Sequence, residues 1–367
     1  MAKRIVLHAG FHKSGTTALQ HSFASSTELL LSHGIDYPPS SRHAHHRPAW
    51  GLTGRVWGWR NNGGRLISDS MWKQFVRRVN RSTKTVLISS EFFTEAKEEQ
   101  IARIRRDFES TPIEIVFTSR PFIKILASSY QQFLKYGVRI RYDKWLDEMF
   151  HRHESSKVTP SFWPRSQVDE VVGKWVEVFG RDNVTVILAD ESEPQFIFDQ
   201  FAEILELPTG SLKPVATGLN RSMTLEETHL LFLINGIYDR SNGWDEYRAM
   251  IRDGYVRFLS DHTSPREGAS RVPTPAWAVE EGLALTQKHL AGIKGMGITI
   301  RGDERRYLSA TVPIGEYQAP AEVDMELAAR FLASYRYQII QQFPLRVVLR
   351  EIRRRARRSM RKVVKGR

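Results

Sequence analysis

The chain has 367 residues, of which 41% are apolar and 26% charged, and this composition excludes a disordered or collagen-like protein. It contains no cysteine, which excludes disulfides, iron–sulfur clusters and thiol catalysis. Of the net charge of +13, residues 346–367 contribute +10, so the rest of the chain is nearly neutral. Charge therefore gives no reason to expect a nucleic acid on the folded part.

The sequence predicts neither a membrane-spanning helix nor a signal peptide. No apolar run approaches the roughly 20 residues that a bilayer requires. The first apolar run, Ile5 to Leu7, is also too short to be the core of a secretion signal. We therefore expect a cytoplasmic protein.

Short runs rich in β-branched residues predict four buried strands, at 3–9, 85–89, 113–118 and 184–188. Apolar residues at three- and four-residue spacing predict helices after residue 17, over 123–134 and over 171–179. Strands that alternate with helices are typical of an α/β fold, with a mostly parallel central sheet and helices on both faces.

Two parts of the chain depart from this alternation of strands and helices. Between the first two strands, residues 36–70 predict a long irregular loop with one short helix. After residue 208 helical spacing dominates, at 225–240, 244–262, 276–292 and 322–342. We expect one domain over 1–345, made of an α/β core (1–210) and a helical extension (211–345), followed by a basic tail (346–367).

The loop after the first strand carries the clearest functional signal. It reads Gly-Phe-His-Lys-Ser-Gly-Thr-Thr over residues 10–17 and leads directly into a helix. Glycines allow a tight turn whose N–H groups point inward, and a helix start adds unsatisfied N–H groups. Lys13 adds a full positive charge. The loop therefore predicts an anion-binding site, although it lacks the Gly-Lys-Ser/Thr order of a Walker A motif.

This loop resembles the Gly-x-x-Lys-(Ser/Thr)-Gly-Thr-Thr loop of sulfotransferases that use 3′-phosphoadenosine-5′-phosphosulfate (PAPS), especially bacterial and carbohydrate members. The resemblance implies a P-loop-like fold and metal-independent sulfuryl transfer, with adenosine 3′,5′-bisphosphate as the product. It also implies that Lys13 contacts the bridging oxygen and the leaving phosphate, while residues 14–17 bind the 5′-phosphate. The candidate cofactor-binding residues of the loop are Gly10, His12, Lys13, Ser14, Gly15, Thr16 and Thr17.

A second signature of these sulfotransferases is an Arg at a strand end and a Ser about eight residues later, which together hold the 3′-phosphate. Arg120 and Ser128 match this spacing after the third predicted strand. The planar fork of an Arg suits a phosphate. Both residues are therefore candidates for cofactor binding.

Glu91 follows the second predicted strand and should face the same crevice as Lys13, because ligands bind at the carboxyl ends of parallel strands. Glycan-type sulfotransferases carry a Glu near this place that deprotonates the acceptor. The resemblance thus implies that Glu91 is the catalytic base. A nearby Lys13 would lower the pKa of Glu91 and weaken it as a base.

The long loop supplies further candidates. His43, His45 and His46 offer an alternative base, and three clustered histidines also suggest a metal, although no carboxylate lies at ligand spacing among them. We take His43, His45 and Trp57 as candidate substrate contacts, since aromatic faces beside arginines suit an acidic sugar. Packing under a lid is the alternative role of this tryptophan.

The tail predicts a basic helix with one apolar stripe. Such a helix suits an anionic membrane surface, which would make the protein peripheral at the inner membrane. RNA binding is the alternative, but no aromatic residues are interleaved for stacking; a docked helix with a frayed end is the third possibility. The sequence gives no indication of oligomeric state.

Taken together, these features predict a PAPS-dependent sulfotransferase that acts on a hydroxyl or amine of a carbohydrate, a glycolipid or a small molecule. Two other classes remain open. One is a P-loop-type small-molecule kinase, for which Asp190 is the candidate magnesium-binding acid. The other is a non-catalytic protein that binds membrane or RNA through its tail.

Overall fold

A six-stranded parallel sheet forms the centre of the computed structural model, which describes residues 2–39, 44–215, 221–322, 325–337, 345, 348–354 and 356. In spatial order the strands are β2 (Ile35–Asp36), β5 (Thr85–Ser89), β1 (Arg4–Gly10), β6 (Ile113–Ser119), β7 (Val184–Leu188) and β8 (Thr299–Arg301). The four predicted strands are confirmed, and β5 and β7 have the predicted bounds.

The two edge strands were not predicted. β2 has two residues and β8 has three, which is too few for a recognisable apolar alternation. β8 pairs in parallel with β7. Residues 211–345, expected to be helical, therefore also contribute one strand to the sheet.

Helices cover both faces of this sheet. Ile5 and Leu7 of β1 join the apolar cluster of one face, which is covered by α4 (Ser70–Arg81), α5 (Glu98–Asp107), α9 (Val168–Phe179) and α14 (Ala276–Gly295). Val6 joins the cluster of the other face, with α1 (Thr16–Ser25), α2 (Thr27–Ser32) and α10 (Phe196–Ile204). Because successive strand residues point to opposite faces, this alternation is what a two-sided α/β fold requires. The predicted fold class is confirmed.

A second helical layer packs beside the sheet around its own aromatic cluster, which includes Trp145, Trp244 and Tyr255. Its helices are α6 (Phe122–Leu134), α7 (Tyr142–His151), α8 (Phe162–Ser166), α11 (Leu225–Ile237), α12 (Trp244–Tyr247), a π-helix (Arg248–Tyr255), α13 (Val256–His262) and α16 (Met325–Tyr337). The expected helical C-terminal region is thus present.

Residues 36–70 are more ordered than expected. They contain α3 (His46–Thr53) and a small hairpin of β3 (Val56–Trp57) and β4 (Arg65–Leu66). The indole of Trp59 donates to the Tyr136 carbonyl at 2.8 Å, which ties the hairpin to the segment after α6. The remaining elements are α15 (Glu304–Leu308) and the 3-10 helices Glu91–Glu95, Arg181–Asn183 and Arg240–Asn242.

Little of the predicted tail helix falls within the described residues. Residues 348–354 are helical, and most of the rest of 346–367 lies outside them. Of the helices that the structure describes, none is long and apolar enough to cross a membrane.

Candidate active site

Three neighbouring strands deliver the candidate residues to one edge of the sheet. β5, β1 and β6 are adjacent and parallel, so their carboxyl ends lie side by side. Gly10 ends β1 in a left-handed conformation, with φ of +109°, and a Cβ added there would lie 2.8 Å from the Cα of Glu91. Only glycine therefore allows the end of β1 to approach Glu91 this closely.

The loop after β1 presents its N–H groups to this edge. Lys13 and Gly15 have φ of +65° and +89°, and such left-handed positions turn successive N–H groups toward one side. Apart from Phe11, whose N–H donates to the Thr118 carbonyl, no backbone N–H from residue 11 to residue 18 has an acceptor among the described residues. The loop is therefore well suited to hold an anion.

A buried polar network lies beneath this loop. His8 hydrogen-bonds Ser89 Oγ at 2.9 Å and Thr118 Oγ1 at 3.2 Å, which links β1 to both neighbours. Ser14 Oγ lies 2.7 Å from the same Thr118 oxygen and donates to the Phe11 carbonyl at 2.6 Å. The Ser14 side chain therefore faces the core, and only its backbone N–H is available to a phosphate.

Sequence reasoning missed His8, although a histidine in the middle of an apolar strand is a recognisable signal. The side chain is fully buried. Burial lowers the pKa of His8 to about 4, so the imidazole is neutral at physiological pH. Its role in the structure is to position the loop through Thr118.

Lys13 lies in a strongly positive environment. Its ammonium donates to Gln132 Oε1 of α6 at 3.4 Å. Burial, followed by the positive charges of Lys135 and Arg165, lowers the pKa of Lys13 to about 7. An arriving anion would restore the full charge of this ammonium.

Glu91 begins the 3-10 helix that follows β5. Its carboxylate accepts a hydrogen bond from Gln20 Nε2 at 3.1 Å, and His46 Nδ1 lies 3.7 Å from the same oxygen. Burial opposes ionisation, but the interactions with the neighbouring imidazoles of His46 and His12 and the hydrogen bond from Gln20 outweigh it and hold the pKa of Glu91 at about 2. The carboxylate is therefore ionised at neutral pH.

A second carboxylate, Glu95, was missed because nothing in its local sequence distinguishes it from an ordinary helix residue. It ends the same 3-10 helix and forms ion pairs with Arg55 and, at 3.2 Å, with Arg165. His12 Nε2 lies 3.3 Å from Glu95 Oε1. Burial, followed by the charge of Arg165, lowers the pKa of His12 well below its usual value.

Arg120 follows β6 and holds the loop from the other side. Its guanidinium donates to the Lys13 carbonyl at 2.9 Å and forms an ion pair with Glu191. Lys124 contacts the same Glu191 at 2.8 Å. Although burial lowers the pKa of Arg120 to about 10, this side chain remains charged at neutral pH.

The predicted partner of Arg120 has a different environment. Ser128 lies on α6, and its hydroxyl donates back to the carbonyls of Lys124 and Ile125, at 3.4 and 3.2 Å. The next residue, Ser129, lines a narrow cavity together with Arg120. A role for Ser128 in phosphate binding stays a prediction.

The three histidines of the long loop differ in their surroundings. His43 lies outside the described residues. His45 is fully buried; it accepts from the Ser89 N–H at 3.0 Å and donates to the Pro38 carbonyl at 2.8 Å, which leaves no free ring nitrogen for a substrate. Its neighbour His46 is the histidine that faces Glu91.

The predicted substrate contact Trp57 is half-buried in an aromatic stack. Its ring lies 4.8 Å from that of Trp50, and the Arg252 guanidinium lies 4.5 Å from its centroid. The metal suggested by the clustered histidines has no matching site in the described part of the chain, where no three His, Asp or Glu side chains are placed to share an ion.

No family model matches the chain, and no curated protein matches it. Among solved structures, the chain is similar to the crystal structure of a sulfotransferase from Alicyclobacillus acidocaldarius, with 18% sequence identity and a TM-score of 0.41. This match covers 64% of the present chain and 93% of the other one.

Proposed function

We propose that this protein is a sulfotransferase that moves a sulfuryl group from PAPS to a hydroxyl or amine of an acceptor, with a carbohydrate or glycolipid as the favoured class. One observation carries the proposal. The Lys13 ammonium and the unpaired loop N–H groups follow β1, and the Glu91 carboxylate follows β5, the adjacent parallel strand, so all of them lie at the same edge of the sheet. A cationic group and a base thus lie at the same edge of the sheet, as sulfuryl transfer from an anionic cofactor to a hydroxyl requires.

The residues present suit a nucleotide with anionic groups at both its 5′ and 3′ ends. The loop N–H groups and the following helix start suit the 5′-phosphate. Arg120, at the end of β6, suits the 3′-phosphate through its planar fork. PAPS, when bound, supplies an activated sulfuryl group whose bond to a phosphate oxygen breaks during transfer.

Lys13 and Glu91 have complementary roles in this proposal. Lys13 stabilises the negative charge that develops on the departing bridging oxygen. Glu91 accepts the proton that the acceptor hydroxyl loses as its oxygen bonds to sulfur. A carboxylate with a pKa of about 2 is a weak base, but it suffices when the proton moves late, after bond formation has made the hydroxyl more acidic.

The kinase alternative has less support. Asp190 follows β7, two strands away from β1, and accepts hydrogen bonds from the backbone and the side chain of Ser192 at 2.8 and 2.7 Å. It also pairs with Arg306 at 3.1 Å. These contacts give the Asp190 carboxylate a structural role in the turn after β7, in place of the magnesium-binding role that a kinase would require.

Thermal-shift measurements with two ligands test the proposal. Adenosine 3′,5′-bisphosphate should stabilise the protein without magnesium, whereas stabilisation only by ATP with magnesium would favour the kinase. Transfer of labelled sulfate from PAPS to extracted glycans and lipids should then be detectable. Lys13→Ala should abolish this transfer, and Lys144→Ala, a change at an exposed lysine of α7, should not.

Contact with an anionic membrane through residues 346–367 remains a separate proposal, supported by their net charge of +10 and their apolar stripe. Deleting these residues should weaken binding to vesicles that contain phosphatidylserine. Activity on a soluble acceptor should be retained. Equal binding by the full and shortened chains would contradict the proposal.

A further inference from the structure

Gln20 is a buried polar residue of α1 that carries no recognisable signal in the sequence. α1 begins three residues after Lys13, and Gln20 lies at the start of its second turn. The Gln20 side chain is only 2% exposed. Burying an amide is costly unless it is hydrogen-bonded. The group that accepts its hydrogen bond therefore explains why a polar side chain stands among the buried residues of this helix.

That group is the Glu91 carboxylate. Gln20 Nε2 donates to Glu91 Oε2 at 3.1 Å. On another side, His46 Nδ1 lies 3.7 Å from the same oxygen and 2.9 Å from Ser90 Oγ. One oxygen of the carboxylate is thus contacted both by α1, which follows the Lys13 loop, and by α3.

The backbone around Glu91 is also held in place. The Thr94 hydroxyl donates to the Glu91 carbonyl at 2.7 Å, and the Ser90 N–H donates to the His8 carbonyl at 3.0 Å. Ser90 Oγ accepts from the Phe92 N–H at 3.3 Å. With the backbone fixed, rotation about the side-chain bonds is the main freedom left to the carboxylate. The hydrogen bond from Gln20 restricts this rotation.

The other carboxylate oxygen, Oε1, has different surroundings. Both contacts just described are with Oε2, and no other side chain in the described part of the chain forms a hydrogen bond or an ion pair with Glu91. The Glu91 side chain is 13% exposed, so part of it is open to solvent. A general base must offer an oxygen within hydrogen-bond reach of the proton that it removes. Oε1 is the oxygen that meets this requirement.

We propose that Gln20 is the positioning residue of the catalytic base: its amide holds Oε2 of Glu91, and Oε1 is left to take the proton of the acceptor. In this step the acceptor oxygen bonds to sulfur, the bond from sulfur to the nucleotide phosphate oxygen breaks, and the hydroxyl proton moves to Oε1. The inference rests on the proposed function. It adds a residue of α1 that acts through Glu91.

The hydrogen bond from Gln20 also has an electrostatic effect. It stabilises the ionised form of Glu91, so a second carboxylate in place of the amide should raise the pKa of Glu91 through like-charge repulsion. The other titratable groups whose charges interact with Glu91 are His8, His12, Lys13, Tyr37, His46, Arg55 and Arg165. All of them are retained when only Gln20 is changed, so a change in the titration of Glu91 would report on position 20.

Two variants of nearly the same shape test the proposal. Gln20→Met removes the donor and should lower kcat by about ten- to hundredfold, as expected for a small misplacement of a reacting group, with little change in KM. Gln20→Glu replaces the donor by an acid. Gln195→Met is the control, because it removes an amide that donates to Asp199 and the Leu212 carbonyl, at 2.9 and 2.8 Å. All three variants should bind adenosine 3′,5′-bisphosphate as the wild type does, which shows that they fold.

The dependence of kcat on pH separates positioning from a general loss of stability. A base with a raised pKa is protonated, and so inactive, up to a higher pH. The ratio of kcat in Gln20→Glu to kcat in the wild type should therefore rise with pH. For Gln195→Met the same ratio should stay near one at every pH.

A measurement without substrate tests the contact itself. In protein labelled with ¹³C at the glutamate carboxyl groups, the Glu91 signal is assigned by its loss in Glu91→Gln. NMR titration of the free protein should show that Glu91 binds its proton at higher pH in Gln20→Glu than in the wild type. An unchanged titration would show that the two side chains are not in contact and would overturn the inference.

Failure of the inference and failure of the proposed function have different signatures. If the wild type binds the nucleotide and transfers sulfate, but Gln20→Met has the same kcat, Gln20 does not position the base and the sulfotransferase stands. If the wild type neither binds the nucleotide nor transfers sulfate, the proposed function is wrong, and the role of Gln20 in catalysis falls with it.

Discussion

Arg120 and Glu191 form an ion pair that joins the end of β6 to the segment after β7. The Glu191 carboxylate is half-exposed and is also held by Lys124 at 2.8 Å. Glu191 therefore pairs with the guanidinium that we assign to the 3′-phosphate of the nucleotide. Its carboxylate is negatively charged, as the phosphate is, and a bound nucleotide would have to displace it from both cations.

We accordingly expect Glu191→Gln to tighten the binding of adenosine 3′,5′-bisphosphate by roughly two- to fivefold, the range expected when a half-exposed ion pair no longer competes. Isothermal titration calorimetry would measure the change. Adenosine 5′-monophosphate, which lacks the 3′-phosphate, is the control ligand, and its affinity should stay the same. Equal tightening of both ligands would show that Glu191 acts on the fold and not on the 3′ site.

The two carboxylates of the Glu91–Glu95 helix should differ in function. Glu91→Gln should lower kcat by about 10² to 10⁴, the usual contribution of a general base, with little change in nucleotide affinity. Glu95→Gln weakens the pairing of Arg55 and Arg165, and so should mainly reduce the free energy of unfolding. Steady-state kinetics and denaturant titrations of both variants would test this, and a Glu91 variant with normal kcat would remove Glu91 from the mechanism.

The sequence predicted the parts of the site that local patterns determine. Lys13, Glu91 and Arg120 each follow a strand of five or more residues, and parallel strands bring their carboxyl ends together. Glu95, Arg165 and Arg252 were not predicted, because they lie on helices whose positions depend on packing between distant segments. Lys135 follows α6, and nothing in its own sequence window shows that its charge acts on Lys13.

The same reasoning explains which strands were predicted from the sequence and which were not. β5 and β7 were predicted with correct bounds because each is a continuous β-branched and apolar run. β2 and β8 depend on a neighbour for their hydrogen bonds, so their own two or three residues carry no pattern. His45 is a candidate substrate contact in the sequence because it lies in the long loop, whereas tertiary packing buries it against β5.

Nucleotide binding should take up a proton near neutral pH. The pKa of Lys13 is about 7 without ligand, and an adjacent phosphate raises it, so the complex binds more protons than the free protein. Affinity should therefore fall as pH rises from about 7 to 9. Calorimetry in two buffers with different ionisation enthalpies measures the uptake directly. Lys13→Met should reduce it, and the same uptake in this variant would assign the proton to another group.

The network under the loop should stabilise the fold through Thr118. Thr118→Val keeps the shape of the side chain but leaves His8 Nε2 and Ser14 Oγ without one of their partners. We expect the free energy of unfolding to fall by about 1–3 kcal/mol, the range for buried polar groups that lose a partner. Thr185→Val, the same change at a buried residue of β7 whose hydroxyl forms no hydrogen bond among the described residues, is the matched control. Equal stability of the two variants in urea titrations would show that this network does not support the loop.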